Sequence, residues 1–294
     1  MSKSASPEGG YEAGSYWSKR LAADFNLVGV GYRALGQRFN RWQYRAYLRN
    51  LERAQKRFGF DLGAASLLEC GFGTGFFLDY YHCKGNRDFA GVDLTKISVQ
   101  RVKEKYPEAD LRCADLGAGP VDFGRRFEVV TAFAVLLHIT DDEHFRTAVA
   151  NICAHADEFV LISDVFPKER FAARGKSHYV LRAHAEYAGQ LALHGFEILG
   201  TEPIFVLLST PGPAHRWWFY LWSAVLYVFC LSEFTGHLFG ALLYWLDGLL
   251  IRLFGAGSST RLSVARRRSL RGPRAKEGNK KAPANGGLIP RKGS

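Results

Sequence analysis

From residue 66 onward the chain alternates short apolar runs with longer amphipathic segments, and this alternation narrows the folds open to it. SLLEC leads into FFLDYYHCKG, DFAGVDL into KISVQRVKEKY, and FEVVTAFAVLL into DDEHFRTAVANICAH, with ADLRCADL between the last two pairs. EFVLISDVF, YVLRAHAEYAGQLALHGF and FEILGTEPIFVLL follow. Strands separated by helices cannot pair as tight hairpins. They form a parallel sheet covered by helices on both faces.

Several further stretches flank or interrupt this pattern. Residues 16–60 hold two helical segments around the break Gly29-Val30-Gly31, the second mixing aromatics with Arg at helical spacing. Residues 214–256 are strongly apolar and contain four of the six Trp. The longest uncharged run there, residues 217–232, would span about 24 Å as a helix, short of a hydrocarbon core of about 30 Å. With the polar step at residues 232–237 and with Asp247 and Arg252 in the second arm, two short helices in a hairpin are expected rather than a spanning helix. Residues 257–268 then alternate like a strand. Residues 1–15 read as a disordered leader and residues 269–294 as a disordered basic tail.

The 294 residues carry a formal charge of +11, but its excess is local. Residues 266–294 contain ten Lys and Arg and one Glu, which leaves a nearly neutral body and argues against a fold built to hold nucleic acid. Cys70, Cys83, Cys113, Cys153 and Cys230 are scattered and free of ligand spacing, so neither a disulfide framework nor a metal site is expected. The start of the chain has no apolar core of a secretory signal, so a cytoplasmic setting is expected.

The chemistry is carried by Glu69-Cys70-Gly71-Phe72-Gly73-Thr74-Gly75, between an apolar strand and a helix. Glycine at Gly71, Gly73 and Gly75 lets the chain turn sharply and lets a ligand lie on bare backbone near the helix N-terminus. The spacing is G-x-G-x-G. A nicotinamide dinucleotide loop needs G-x-G-x-x-G, which Phe76 breaks, and no GxxxxGK[ST] is present. Asp93 ends the next strand, where a carboxylate can accept both hydroxyls of an adenosine ribose. Asp115 follows the third strand, where it can accept from an adenine amine.

In that order ECGFGTG, GVDLT, ADL and FEVVTAFAVLLHI resemble the motifs of class I S-adenosylmethionine-dependent methyltransferases, over roughly residues 60–210 plus the strand TRLSVARR. The resemblance implies an α/β fold: a Rossmann-like seven-stranded mostly parallel sheet over residues 61–213 and 257–268, its last strand antiparallel, with helices on both faces. A helical N-terminal cover would precede it, and the apolar helical hairpin would be inserted before the last strand. S-adenosylmethionine (SAM) is the implied cofactor, with Glu69 facing its amino-acid end through water, Gly71, Gly73 and Gly75 under it, Asp93 on the ribose and Asp115 on the adenine.

Side chains at the C-terminal ends of the parallel strands face the acceptor. His138 is the first candidate base, because imidazole titrates in a useful range; Asp164 and His178 follow. The segment Tyr16-Trp17-Ser18-Lys19-Arg20, with Tyr32, Asn40, Arg41, Trp42 and Tyr44, resembles the cover of some bacterial family members, and either forms a lid over cofactor and acceptor with its aromatics lining the acceptor pocket or simply packs the cover on the core. Methyl transfer to a small or lipid-like acceptor, at oxygen, is the leading expectation. Carbon methylation of an apolar acceptor and RNA binding through the basic tail are the alternatives. For residues 217–254 a membrane surface, a homodimer contact and a pocket wall all remain open.

Overall fold

The computed structural model describes residues 11–172, 178–210, 216–255, 257 and 260–268. The expected leader up to residue 10 and the tail beyond residue 268 lie outside the described residues.

The N-terminal cover comprises α1 (Ala13–Ala23), α2 (Leu27–Val30), a 3-10 turn (Arg33–Leu35) and the long α3 (Gly36–Phe58). α1 begins inside the stretch read as leader, because the Glu12 carboxylate accepts from the backbone N–H groups of Gly14 and Ser15 and caps the helix. The break at Gly29 and Gly31 is steric. A Cβ would lie 1.8 Å from the Asp24 carbonyl oxygen at the first and 2.3 Å from Asn40 Oδ1 at the second.

The core then runs β1 (Leu67–Cys70), α4 (Phe76–Cys83), β2 (Phe89–Asp93), α5 (Lys96–Lys105), β3 (Asp110–Cys113), β4 (Phe127–Phe133), α6 (Asp142–His155) and β5 (Ala156–Val165). β6 (Phe171–Ala172) and β7 (Val180–Leu181) pair as a small ribbon, followed by α7 (His184–Leu193) and β8 (Phe196–Pro203). The apolar hairpin is α8 (Arg216–Phe229) and α9 (Glu233–Phe254), and β9 (Thr260–Arg267) closes the sheet. The strand order is β3-β2-β1-β4-β5-β9-β8, with β1 to β5 mutually parallel and β9 antiparallel between β5 and β8.

Alternate residues of the central strands enter two separate cores. Leu67, Val129, Phe133 and Leu161 pack on one face with Phe39 and Leu51 of α3 and Leu78 of α4. Leu68, Val130, Ala132 and Ile162 pack on the other with Val149 of α6 and Leu191 of α7. Strands buried on both faces read as continuous apolar runs, which is what the sequence shows.

The hairpin differs from expectation in one arm. α9 runs for 22 residues and is, by length and composition, apolar enough to cross a membrane. The arms break at residues 230–232, so of the polar step only Ser232 lies between them, where it caps α9, and residues 233–237 already belong to that helix. Asp247 within the second arm faces inward. It is fully buried and accepts from the backbone N–H groups of Val206, Leu207 and Leu208 at 2.7–3.1 Å, tying α9 to the loop after β8.

Candidate active site

A cavity of about 710 Å³ opens at the C-terminal ends of β1, β2 and β4, beside the point where the strand order reverses direction. Gly71 and Gly73 form its floor with φ values of 75° and 53°, a left-handed backbone that glycine adopts freely. A Cβ at Gly71 would lie 2.4 Å from Val135, and at Gly73 2.9 Å from Val30 of the cover. The loop is therefore closed from both sides. Gly75, at φ 82°, caps α4 and lies outside the lining.

Asp93 lies on the cavity wall and is nearly buried, which pushes its carboxyl above the usual carboxylate range against the pull of its hydrogen bonds. Oδ1 accepts from both the backbone N–H and the hydroxyl of Thr95, and Oδ2 accepts from the backbone N–H of Gly73, each at 2.8 Å. Oδ1 is thus filled, and Oδ2 keeps one acceptor position. That suits one hydroxyl better than the two expected from the sequence. Asp115 is exposed on the same wall, where its Oδ1 accepts from the Gly117 N–H at 2.8 Å, and Leu94, Leu116 and Ile139 supply apolar surface around it.

Glu69 is not on the lining. It shares the strand face of Leu67, beneath α4, where Oε2 accepts from the hydroxyls of Tyr81 at 2.7 Å and Thr131 at 2.5 Å. Burial pushes its carboxyl up to about 7 against both hydrogen bonds.

At the other end the cavity is aromatic. Tyr44 of α3, Phe76 and Phe77 of α4 and Phe133 of β4 pack ring on ring, with centroids 4.6 Å apart for Tyr44–Phe76 and for Phe77–Phe133. Trp17 of α1 stands edge-on to His138 at 4.9 Å, and Tyr11 and Leu21 complete the roof. Of the cover aromatics named from the sequence, Trp17 and Tyr44 line the cavity. Tyr16 instead stacks on His178, and Trp42 packs against α9 through Tyr244 and His237. Tyr11, Phe77 and Phe133 were not singled out from sequence, where they are indistinguishable from core aromatics.

The three candidate bases separate clearly. His138 lines the cavity at the end of a 3-10 turn (Leu136–His138), reached through Ala134, whose φ of 56° bends the chain sharply off β4. Its Nδ1 lies 2.9 Å from the main-chain carbonyl oxygen of His178. A carbonyl only accepts, so Nδ1 carries the proton and the neutral ring keeps its lone pair on Nε2. Burial pushes its pKa down to about 4. His178 is off the lining and contributes that carbonyl, and its ring stacks on His138 at 5.6 Å. The buried Arg182 braces this segment by donating to the Ile139 carbonyl and to Asp142. Asp164 is also off the lining, buried at the end of β5, where it accepts from the Tyr187 hydroxyl at 2.9 Å and burial pushes its carboxyl up to about 8.

The cavity can therefore hold an elongated molecule with a hydroxylated sugar and a heteroaromatic amine at one end and an apolar partner at the other. A methyltransferase-domain family model matches residues 67–157, the segment from β1 through the start of β5. No curated protein matches the sequence. Magnesium protoporphyrin IX methyltransferase from Synechocystis PCC 6803 with bound SAM superposes over 88% of this chain and 99% of that one, at 14% identity and a TM-score of 0.52. The same protein with bound SAH covers 81% of this chain and 92% of its own, at 14% identity and a TM-score of 0.50. A Burkholderia thailandensis 1,6-didemethyltoxoflavin-N1-methyltransferase covers 88% and 92%, at 15% identity and a TM-score of 0.49. Taken with the glycine-floored cavity and the strand order, the match marks residues 67–157 as the methyltransferase domain of an S-adenosylmethionine-dependent methyltransferase.

Proposed function

We propose that the enzyme methylates a hydroxyl oxygen on a small or lipid-like acceptor, with His138 as the general base. The observation that carries this reading is the neutral His138 ring, its Nδ1–H committed to the His178 carbonyl, on the wall of a cavity whose acceptor end is aromatic. The donor set suits SAM: Asp93 Oδ2 takes a ribose hydroxyl, Asp115 takes the adenine amine, and Gly71 and Gly73 line the cavity between them. When bound, SAM supplies an electrophilic methyl group on a sulfonium. The protein aligns the acceptor oxygen and receives its proton on His138 Nε2, so the oxygen gains a methyl as the imidazole gains a proton. His178 acts as a positioning residue through its carbonyl. Glu69 and Asp164 support the fold from beneath and touch neither reactant in this reading.

Carbon methylation stays open as a second reading on one observation. The ring cluster of Tyr44, Phe76, Phe77 and Phe133 offers faces that would stabilise a cationic intermediate without a base. Turnover of methyl-labelled SAM with a panel of hydroxylated lipids and phenols, followed by mass-spectrometric assignment of the methylated atom, decides between them. Methyl ethers or esters formed only when His138 is intact support the oxygen reading. Carbon-linked product from an enzyme indifferent to His138→Ala overturns it.

A further inference from the structure

We propose that the outward face of the α8–α9 hairpin seats this enzyme in the plane of an anionic lipid surface, without spanning the bilayer. The two faces of α9 are sharply different. Gly236, Gly240, Leu243, Asp247 and Ile251 are buried, whereas Leu238, Leu242, Trp245, Leu249 and Leu253 on the opposite side are all more than half exposed, Trp245 by 71%. α8 extends the same apolar surface with Trp217, Tyr220, Leu221 and Val228. A contiguous face of this kind is rare on a protein meant to stand free in water.

Charge identifies what covers it. The hairpin holds two carboxylates, and both are engaged by backbone N–H groups: Glu233 by Gln37 and Arg38 at the start of α3, Asp247 by the loop after β8. Along the other flank of α9 lie the arginines of α3. Arg45 sits over the Trp42 ring at 4.3 Å and Arg49 over the Tyr244 ring at 4.2 Å, and exposed Arg38 and Arg41 lie on the same stripe. Among the described residues Arg38, Arg41, Arg45 and Arg252 make no ion pair. An apolar face bordered by unpaired cations and rings matches the boundary between acyl chains and anionic headgroups. A second copy meeting it about a two-fold axis would bring the same surface, with no carboxylate left to pair these arginines.

Packing fixes the orientation. Gly240 lets α9 close on Trp42 and Phe39, and Gly248 on Arg49, so α9 lies alongside α3 over most of its length. Crossing the bilayer would strip α9 from α3 or carry the α3 arginines into hydrocarbon. Lying in the interface requires neither.

Flotation of the full chain with vesicles of phosphatidylcholine alone or mixed with phosphatidylserine tests this without reading turnover, so its outcome is independent of the methyl-transfer reading. The expected result is partitioning into the phosphatidylserine vesicles that weakens with added salt. It should fall about fivefold for each of Arg38→Gln and Arg41→Gln and vanish in Leu242→Glu/Trp245→Glu, whose circular dichroism stays unchanged because both positions are exposed. Three results overturn the proposal. One is a dimer dissociated by the paired Glu variant with no vesicle binding by the parent. Another is equal binding to neutral vesicles unaffected by the Arg variants. The third is association that survives carbonate extraction.

Discussion

His138 donates through Nδ1 to a carbonyl that the side chain of residue 178 does not provide, and the two histidines therefore have separable roles. His138→Ala should lower turnover about 10²–10⁴-fold with cofactor affinity nearly unchanged, whereas His178→Ala keeps the carbonyl and should cost far less. The burial that holds His138 near 4 also sets its pH behaviour. In the unfolded chain the ring titrates near 6.5, so between about pH 4 and 6.5 the unfolded state binds more protons. Stability from this group is complete above that window and is lost as pH falls through it, and the acid limb of turnover should lie near pH 4 rather than 6.5. A limb at 6.5 in a rate profile would remove His138 as base. Glu69 has the opposite sign. Its folded pKa of about 7 exceeds the unfolded value near 4.3, so the folded state binds more protons between them and stability declines as pH rises through that interval. Glu69→Gln should flatten this decline in thermal melts from pH 5 to 8. On the proposed cofactor binding, Asp93→Ala leaves the Gly73 and Thr95 donors, and with them one ribose hydroxyl, without their acceptor. Titration calorimetry with SAH should show a loss of about 1–3 kcal/mol.

At the scale of elements, α9 depends on Asp247. Asp247→Ala would orphan three backbone N–H groups at residues 206–208, costing about 3 kcal/mol, or roughly 6–12 °C in melting temperature. Asp247→Asn, which keeps one acceptor oxygen, should lose less in the same melts. This residue also shows where sequence reading stops. A charge within an apolar helix signals that it needs partners but not on which side they stand, and the partners here come from a loop 40 residues upstream. Glu69 poses the same problem in a strand. All four residues of β1 are buried, so no polar alternation says which face points at the cavity and which points beneath α4. The places of Asp93, Asp115, Gly71 and Gly73 beside the cavity follow from local chain geometry at strand ends and turns, whereas Gly75 caps α4 instead. The aromatics of the cavity were not, since burial in a core and burial around a ligand need the same residue types.

For the molecule as a whole, a seven-stranded, mostly parallel sheet with an antiparallel last strand followed from the alternation and the resemblance it supported, while the strand order and the enclosure of the cavity are tertiary facts. Sheet and cover share one cavity, its floor at Gly71 and Gly73 and its roof at Tyr11, Trp17 and Leu21. The roof is lightly held: α1 buries only Leu21 completely, and Arg20 ties it down by donating to the carbonyls of Val28 and Gly31. Few buried apolar contacts mean that α1 opens at a lower free energy than the sheet. A ligand filling the cavity adds contacts to the closed form alone, and any opening of α1 that releases the ligand must then overcome its binding free energy. With SAH at about 100 times its dissociation constant, that penalty is about 2.7 kcal/mol, or nearly a hundredfold slower exchange. Hydrogen exchange should therefore slow by up to that factor at the amides of residues 13–31, and hardly at all in β8, which lies at the far edge of the sheet from the cavity. Protection spread evenly over the chain, or confined to the glycine loop with α1 unchanged, would show that the cover does not close over the bound cofactor.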